Sequence, residues 1–92
     1  MTNLNKLCTL YDVHSPEEQE ALKDLLTNHL PREYTSKVIS KLADDNIVTD
    51  SQTIRNIKSG INKNILIFNA IIEIASEYKA LSNRLKDNLS QK

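Results

Sequence analysis

The side chains with the most specific hydrogen-bonding chemistry lie between residues 51 and 59, in a short segment that ends at the only glycine of the chain. If Ile54 and Ile57 point inward, the opposite side of a helix here is polar. Glutamine and asparagine can each pair with adenine through two hydrogen bonds, and arginine with guanine, for about 1–3 kcal/mol of discrimination per base. This pattern favours recognition of base edges in a DNA groove, although it is also typical of ordinary solvated surface. The polar residues are Gln52, Arg55, Asn56 and Ser59.

The charge of the chain is balanced as a whole but unevenly distributed. Twelve basic and twelve acidic side chains give a formal net charge of zero, so attraction to nucleic acid must come from a local patch. Residues 51–64 contain Arg55, Lys58 and Lys63 and no acid, whereas residues 1–30 contain two lysines and five acids. The segment with the polar face is therefore also the basic one. The same cations could equally be ordinary solubilising charge.

Composition predicts the kind of structure that carries this polar face. One glycine, two prolines and no useful run of alternating hydrophobic residues indicate an all-α fold, a single helical domain over residues 1–92. A single cysteine, Cys8, excludes an internal disulfide framework and is expected to be a small buried hydrophobe. No signal peptide or apolar stretch of membrane-spanning length is present, which predicts a soluble cytoplasmic protein with no membrane partner.

Capping signals give the boundaries of the helices. Ser15 and Pro16 begin the first clear helix, with Glu18 placed to complete a capping box, and Pro31 ends it. Ile47 and Val48, in the connector "DDNIVTD", are expected to enter the core. Three further helices are predicted. The first covers Tyr34–Asp44, and the second is a short helix over Ser51–Ser59 that is capped by Thr49 or Asp50 and ends at a left-handed Gly60. The third is a long helix from Asn64 towards Leu89.

The long helix carries two patterns. Its first half, Ile65–Ile74, is apolar nearly all round, which predicts burial against several other helices. In the rest of the helix, the apolar residues form a single stripe with heptad spacing, a heptad seam. The seam extends beyond the core expected of so small a domain, so a partner helix, most simply that of a second copy, is expected to cover it. A bent helix that folds back would bury the same residues. Residues 64–90 are thus predicted to form a packing and dimerisation helix, with an interface at Ile74, Tyr78, Leu81 and Leu85.

The order "YTSKVISKLADDNIVTDSQTIRNIKSGINKNILIFNAIIEIA" resembles the lambda-repressor-like (Cro/C1-type) helix-turn-helix family of phage and mobile-element regulators. "VISKLA" corresponds to the positioning helix, "SQTIRNIKSG" to the recognition helix and "INKNILIFNAIIEIA" to the loop and packing helix that follow. The resemblance covers about residues 33–75 and implies a helix-turn-helix over residues 33–63 in a five-helix, usually dimeric, sequence-specific transcriptional regulator of double-stranded DNA. It implies base contacts by Gln52, Thr53, Arg55 and Asn56, and phosphate contacts by Lys58, Asn62 and Lys63.

The connector departs from the family pattern and leaves a second hypothesis open. It is several residues longer than the family's tight turn, lacks the usual glycine, and brings Asp44, Asp45 and Asp50, which repel phosphates unless Asp50 caps the helix and the pair faces away. Zero net charge and these aspartates favour a helical protein-interaction adaptor or inhibitor that keeps the shape without binding DNA. No nucleotide loop, metal-ligand spacing or catalytic triad is present, which predicts neither an enzyme nor a cofactor, metal or small-molecule substrate.

Overall fold

The computed structural model describes residues 4–90, and regular structure within that range is helical throughout. The prediction of an all-α fold with a long C-terminal helix is confirmed. Helix α2 continues directly into a π-helical turn over Leu25–His29, and the predicted bounds of the three helices after it are also confirmed to within one residue. The five α-helices are α1 (Leu4–Leu10), α2 (Pro16–Asp24), α3 (Tyr34–Asp44), α4 (Ser51–Ser59) and α5 (Ile65–Ser90).

A capping side chain marks the predicted start of α5 but not that of α2. Asn64 caps α5, since its Oδ1 accepts hydrogen bonds from the backbone nitrogens of Leu66 at 3.1 Å and Ile67 at 3.2 Å. Ser15 precedes α2 with extended backbone, but its side chain makes no capping hydrogen bond, so the predicted capping box with Glu18 is wrong. Pro16 sets the start of α2 instead, because its fixed φ suits the first helical position and its missing N–H needs no partner there.

The core lies on one side of α5. Helices α3 and α4 and the π-helical turn pack against this side, and α1 closes it with Leu7 and Cys8, both buried. The prediction that Cys8 is a small buried hydrophobe is confirmed. The largest fully buried side chains come from four different helices, so the core joins the whole domain: Leu7, Val38, Ile54, Ile57 and Ile71.

Two predictions of burial are wrong, for one reason. Ile65 and Leu66, in the first turn of α5, are 59% and 62% exposed, and Val48 in the connector is 98% exposed. Ile47 packs against the core but is only half-buried. The other helices cover one side of α5, so apolar residues on its far side and at the edge of the domain stay in contact with water.

The second half of α5 leaves the domain. Ile74 is only 5% exposed and belongs to the chain's own core, so its predicted place in a dimer interface is wrong. The other three predicted interface residues, Tyr78, Leu81 and Leu85, are 37%, 58% and 58% exposed. The helix is continuous to Ser90, which overturns the alternative of a bend that folds this stripe back onto the core. Within residues 4–90, none of the helices combines the length and the apolar character that crossing a membrane requires.

Candidate nucleic-acid interface

Helix α4 packs against α3 and α5 and leaves its outward side exposed. Ile54 and Ile57 are 0% and 1% exposed and anchor it to the core, as the sequence predicts. The outward side of α4 is called the reading face below; Gln52 and Arg55 on it are exposed, and Asn56 and Ser59 are half-buried. The structure therefore brings all four predicted polar residues to one surface.

Both ends of α4 are fixed. Asp50 is the N-cap, and its Oδ1 accepts a hydrogen bond of 2.8 Å from the backbone nitrogen of Thr53. Thr49, the alternative cap, instead has a buried hydroxyl with no hydrogen-bond partner in the described part of the chain. At the other end Gly60 has a φ of +85°, and the Ile61 nitrogen donates to the Asn56 carbonyl at 2.9 Å, which completes a left-handed C-cap.

The polar groups of the reading face are already partly ordered. Gln52 Nε2 donates to Asn56 Oδ1 at 3.0 Å, one helical turn away. Gln52 keeps its amide oxygen and a second N–H, which are the two groups needed to pair with adenine. Ser59 Oγ donates to the Arg55 carbonyl at 2.9 Å, so its hydroxyl proton is engaged within the helix. The free hydrogen-bonding capacity therefore centres on Gln52, Asn56 and the exposed guanidinium of Arg55.

Tyr34, the first residue of α3, joins the two helices of the pair at this surface. Lys58 Nζ lies over its ring, 5.7 Å from the centroid, in a cation–π contact. Burial raises the pKa of the Tyr34 phenol, and the nearby positive charge of Arg55 opposes the shift. The phenol therefore stays protonated at neutral pH and can act as a hydrogen-bond donor beside two cations.

The side chain of Lys6, from helix α1, lies beside the C-terminal end of α4. A Cβ atom placed on Gly60 would be 3.3 Å from Lys6 Cδ, so the side chain of Lys6 crosses the backbone there. Sequence reasoning missed Lys6 because residues 1–30 are acidic on average. No local signal could have found it, since α1 packs against α4 only through the tertiary fold.

The loop after α4 holds the other predicted phosphate contacts. Asn62 and Lys63 are exposed, while Lys58 is half-buried against Tyr34. The loop is anchored beyond them, because the Tyr11 hydroxyl accepts a 3.0 Å hydrogen bond from the Asn64 nitrogen. The Tyr11 ring in turn stacks on Phe68 with centroids 4.2 Å apart. No local sequence signal indicates this role of Tyr11, because Tyr11 and Asn64 are far apart in the chain and meet only in the folded domain.

The three aspartates of the connector lie in two different places. Asp50 is exposed at the start of α4, and its hydrogen bonds from Thr53 lower the pKa of the carboxyl, so it is ionised at neutral pH. Asp44 and Asp45 instead line a shallow groove with Ile47, on the side of the connector that meets the first half of α5. Only the capping carboxylate therefore lies on α4 itself.

Comparison with known proteins gave no relatives: no protein-family model, no curated protein and no solved structure matches this chain.

Proposed function

We propose that the protein is a sequence-specific DNA-binding transcriptional regulator of the phage or mobile-element repressor type, with α4 as its recognition helix. The observation that carries the proposal is the reading face. It lies on a helix that is capped at both ends and presents an arginine and two amides outward, with Lys58 in its last turn and Lys63 in the loop that follows. A helix with its side chains is about 10–12 Å across and the major groove is about 12 Å wide, so α4 can enter it.

Each predicted contact residue has a role in this proposal. Gln52 and Asn56 read adenine, Arg55 reads guanine, and the half-buried Thr53 lies at the side of the helix where its methyl group can meet a thymine methyl. The phosphates on either side are held by cations and an amide that flank the reading face, and these contacts position the helix without reading sequence. The phosphate-contacting residues are Lys58, Asn62 and Lys63.

The proposed regulator acts as a homodimer in the cytoplasm. The exposed part of the α5 seam, Tyr78, Leu81 and Leu85, continues with Leu89 at 66% exposure. An apolar stripe on a helix that extends beyond its own domain is typical of a helix–helix interface. Two copies related by a twofold axis would read two half-sites separated by about one helical turn of DNA, or a multiple of it.

The test is a fluorescence-anisotropy titration of random-sequence duplex DNA at about 50 and 200 mM salt. Because each neutralised phosphate releases counterions, affinity should fall steeply between the two salt concentrations. The variant Lys58→Glu/Lys63→Glu should abolish binding, whereas Lys23→Glu, on the exposed surface of α2, should leave it unchanged. Wild-type protein that fails to bind at the lower salt, at tens of micromolar, would contradict the proposal.

A helical adaptor or inhibitor of another protein is the second candidate function. It is supported by the exposed apolar side chains of Val48, Ile61 and Leu66 and by the carboxylates of Asp44 and Asp45 at the groove beside α5. These groups lie outside the reading face, so the charge reversal at Lys58 and Lys63 should spare an adaptor function while abolishing DNA binding.

A further inference from the structure

We propose that two copies of this chain pair through the ends of their α5 helices in antiparallel orientation. The last turn of each helix then lies in the cleft of the other copy that is formed by Pro31, Arg32, Glu33, Lys37 and Tyr78. This inference deepens the dimer of the proposed function and supplies its direction and register, neither of which the heptad pattern determines.

The paired surface is the arm stripe, defined as Tyr78, Leu81, Leu85 and Leu89. Their spacings of three, four and four residues place them on one side of the helix. Three of them are more than half exposed, so they are uncovered in the single chain. The helix has 26 residues and a length of roughly 39 Å, which carries its end beyond the helices that pack on its first half.

The direction of pairing follows from the position of the core. The arm stripe continues the same side of α5 that carries Ile67, Ile71 and Ile74, and those residues are covered by the domain itself. In a parallel pair, both domains would occupy the same space between the two helices. In an antiparallel pair, the domains lie at opposite ends. The second half of each α5 then faces only the second half of the other α5 and the edge of the other domain.

The register follows from where the core ends. Ala75 is the last buried residue of α5, so a partner helix can lie along this side only from about residue 76 onward. Pairing Leu81 of each copy with Leu85 of the other brings Ser90 level with Ser76, and it brings Asn88 level with Tyr78. The two helices then overlap along the whole uncovered length without meeting either core.

Electrostatics support this placement. The C-terminal end of a helix carries partial negative charge, and the last turn of α5 contains no basic residue, whereas those of α2, α3 and α4 each contain one. The cleft that receives this end contains Arg32 and Lys37 against the single acid Glu33. Lys37 Nζ lies 5.7 Å from the centroid of the Tyr78 ring, directly beside the arm stripe.

Disulfide cross-linking tests direction and register together. In the proposed pair, Ser82 lies beside Ser82 of the other copy, near the twofold axis. Asn83 is about 100° further round the helix and faces away. We expect Ser82→Cys to form a disulfide-linked dimer under mild oxidation at least tenfold faster than Asn83→Cys or Leu85→Cys. The native Cys8 is buried and remains in all variants, with the wild-type chain as its control.

A parallel pair would give the opposite result, because Leu85 would then face its own symmetry mate. Rapid cross-linking of Leu85→Cys with none for Ser82→Cys overturns the proposal, as does a wild-type protein that stays monomeric in sedimentation at several hundred micromolar. The expected sedimentation result is a dimer that Leu85→Asp converts to monomer. The double variant Arg32→Glu/Lys37→Glu should raise the dissociation constant of the dimer at least tenfold, and Lys23→Glu should leave it unchanged.

These measurements need no DNA, so they separate the pairing from the proposed function. If Ser82→Cys cross-links and the protein does not bind DNA, the pairing stands and the regulator does not. If the protein binds DNA with the expected salt dependence while Ser82→Cys fails to cross-link, the regulator stands and the antiparallel pairing is overturned.

Discussion

Arg55 and Lys63 are both exposed but contribute differently to the proposed complex. Arg55→Ala removes a pair of hydrogen bonds to a base. It should therefore reduce the preference for a duplex that carries the protein's preferred site, obtained by selection, over a random-sequence duplex by about 1–3 kcal/mol. Lys63→Ala removes a phosphate contact, so it should weaken binding to all sequences equally and lower the salt slope by about one. Titrations of both duplexes at several salt concentrations measure both effects. If Lys63→Ala changed preference and Arg55→Ala did not, the proposed orientation of α4 would be wrong.

Asp50 combines a structural benefit with an electrostatic penalty in the proposed complex. Its carboxylate caps α4 by accepting from the Thr53 nitrogen at 2.8 Å, but it adds negative charge close to the DNA. Asparagine caps about as well as aspartate without the charge. Asp50→Asn should therefore raise DNA affinity and leave the urea midpoint nearly unchanged.

The companion variant Asp50→Ala separates the two effects of this side chain. It also removes the charge but loses the cap, so it should lower the urea midpoint. An Asp50→Asn variant with unaltered DNA affinity at low salt would show that this end of α4 lies away from the phosphates.

At the scale of the element, the C-terminal end of α4 depends on a left-handed residue. Gly60 has a φ of +85°, which costs a residue with a side chain about 1–2 kcal/mol. Gly60→Ala should therefore lower the free energy of unfolding by about that amount in urea titrations. The new Cβ would also lie 3.3 Å from Lys6 Cδ. Most of the loss should persist in a Lys6→Ala background; if it disappeared there, the contact and not the backbone would be its cause.

Another element-scale feature is the ion cluster that fastens the end of α2 to α5. Asp24 Oδ2 accepts from Lys79 Nζ at 2.9 Å and lies 3.3 Å from His29 Nε2. The hydrogen bond from Asn28, followed by that from Lys79, lowers the pKa of Asp24 from 3.8 to about 2. Since the pKa is lower in the folded state, this stabilisation is present above about pH 4 and is lost as the pH falls towards 2.

The cluster predicts a specific pH dependence of stability. Asp24→Asn keeps the shape of the side chain but removes its charge. Its urea midpoint should lie below that of the wild type at pH 6, and the two should converge as the pH falls from about 4 to 2, the range between the unfolded and folded pKa values. Equal differences at pH 6 and pH 2.5 would show that the carboxylate charge does not stabilise this junction.

At the scale of the whole molecule, the first half of α5 belongs to the core and the second half is exposed. Substitutions in the two halves should therefore have different effects on stability. Ile71 is 0% exposed in the core, so Ile71→Ala should lower the free energy of unfolding by about 2–5 kcal/mol. Leu85 is 58% exposed, so Leu85→Asp should change it by less than about 0.5 kcal/mol when measured on dilute, monomeric protein. A large loss of unfolding free energy for Leu85→Asp would mean that the second half of α5 is part of the domain's own core.

The parts of this protein that sequence alone determined are those governed by neighbouring residues. The bounds of α3 and α4, the left-handed Gly60 and the inward side of α4 all follow from capping chemistry and helical periodicity. The sequence left the N-cap of α4 open between Thr49 and Asp50, and the structure assigns it to Asp50. Local sequence signals gave a wrong prediction where a side chain could either form a capping hydrogen bond or remain without one. Ser15 has the sequence of a capping box but makes no capping hydrogen bond with its side chain.

Which apolar surfaces are covered, and which distant residues meet, depends on long-range packing and could not be predicted from local sequence. Val48 and Ile65 look like core residues but are exposed, while Ile74 looks like an interface residue but is buried, because burial depends on which helices pack against which side of α5. Lys6 and Tyr11 come to the two ends of the α4–α5 loop for the same reason. Periodicity identifies the sides of a helix, but long-range packing, which is not written in any local stretch of sequence, determines what lies against each side.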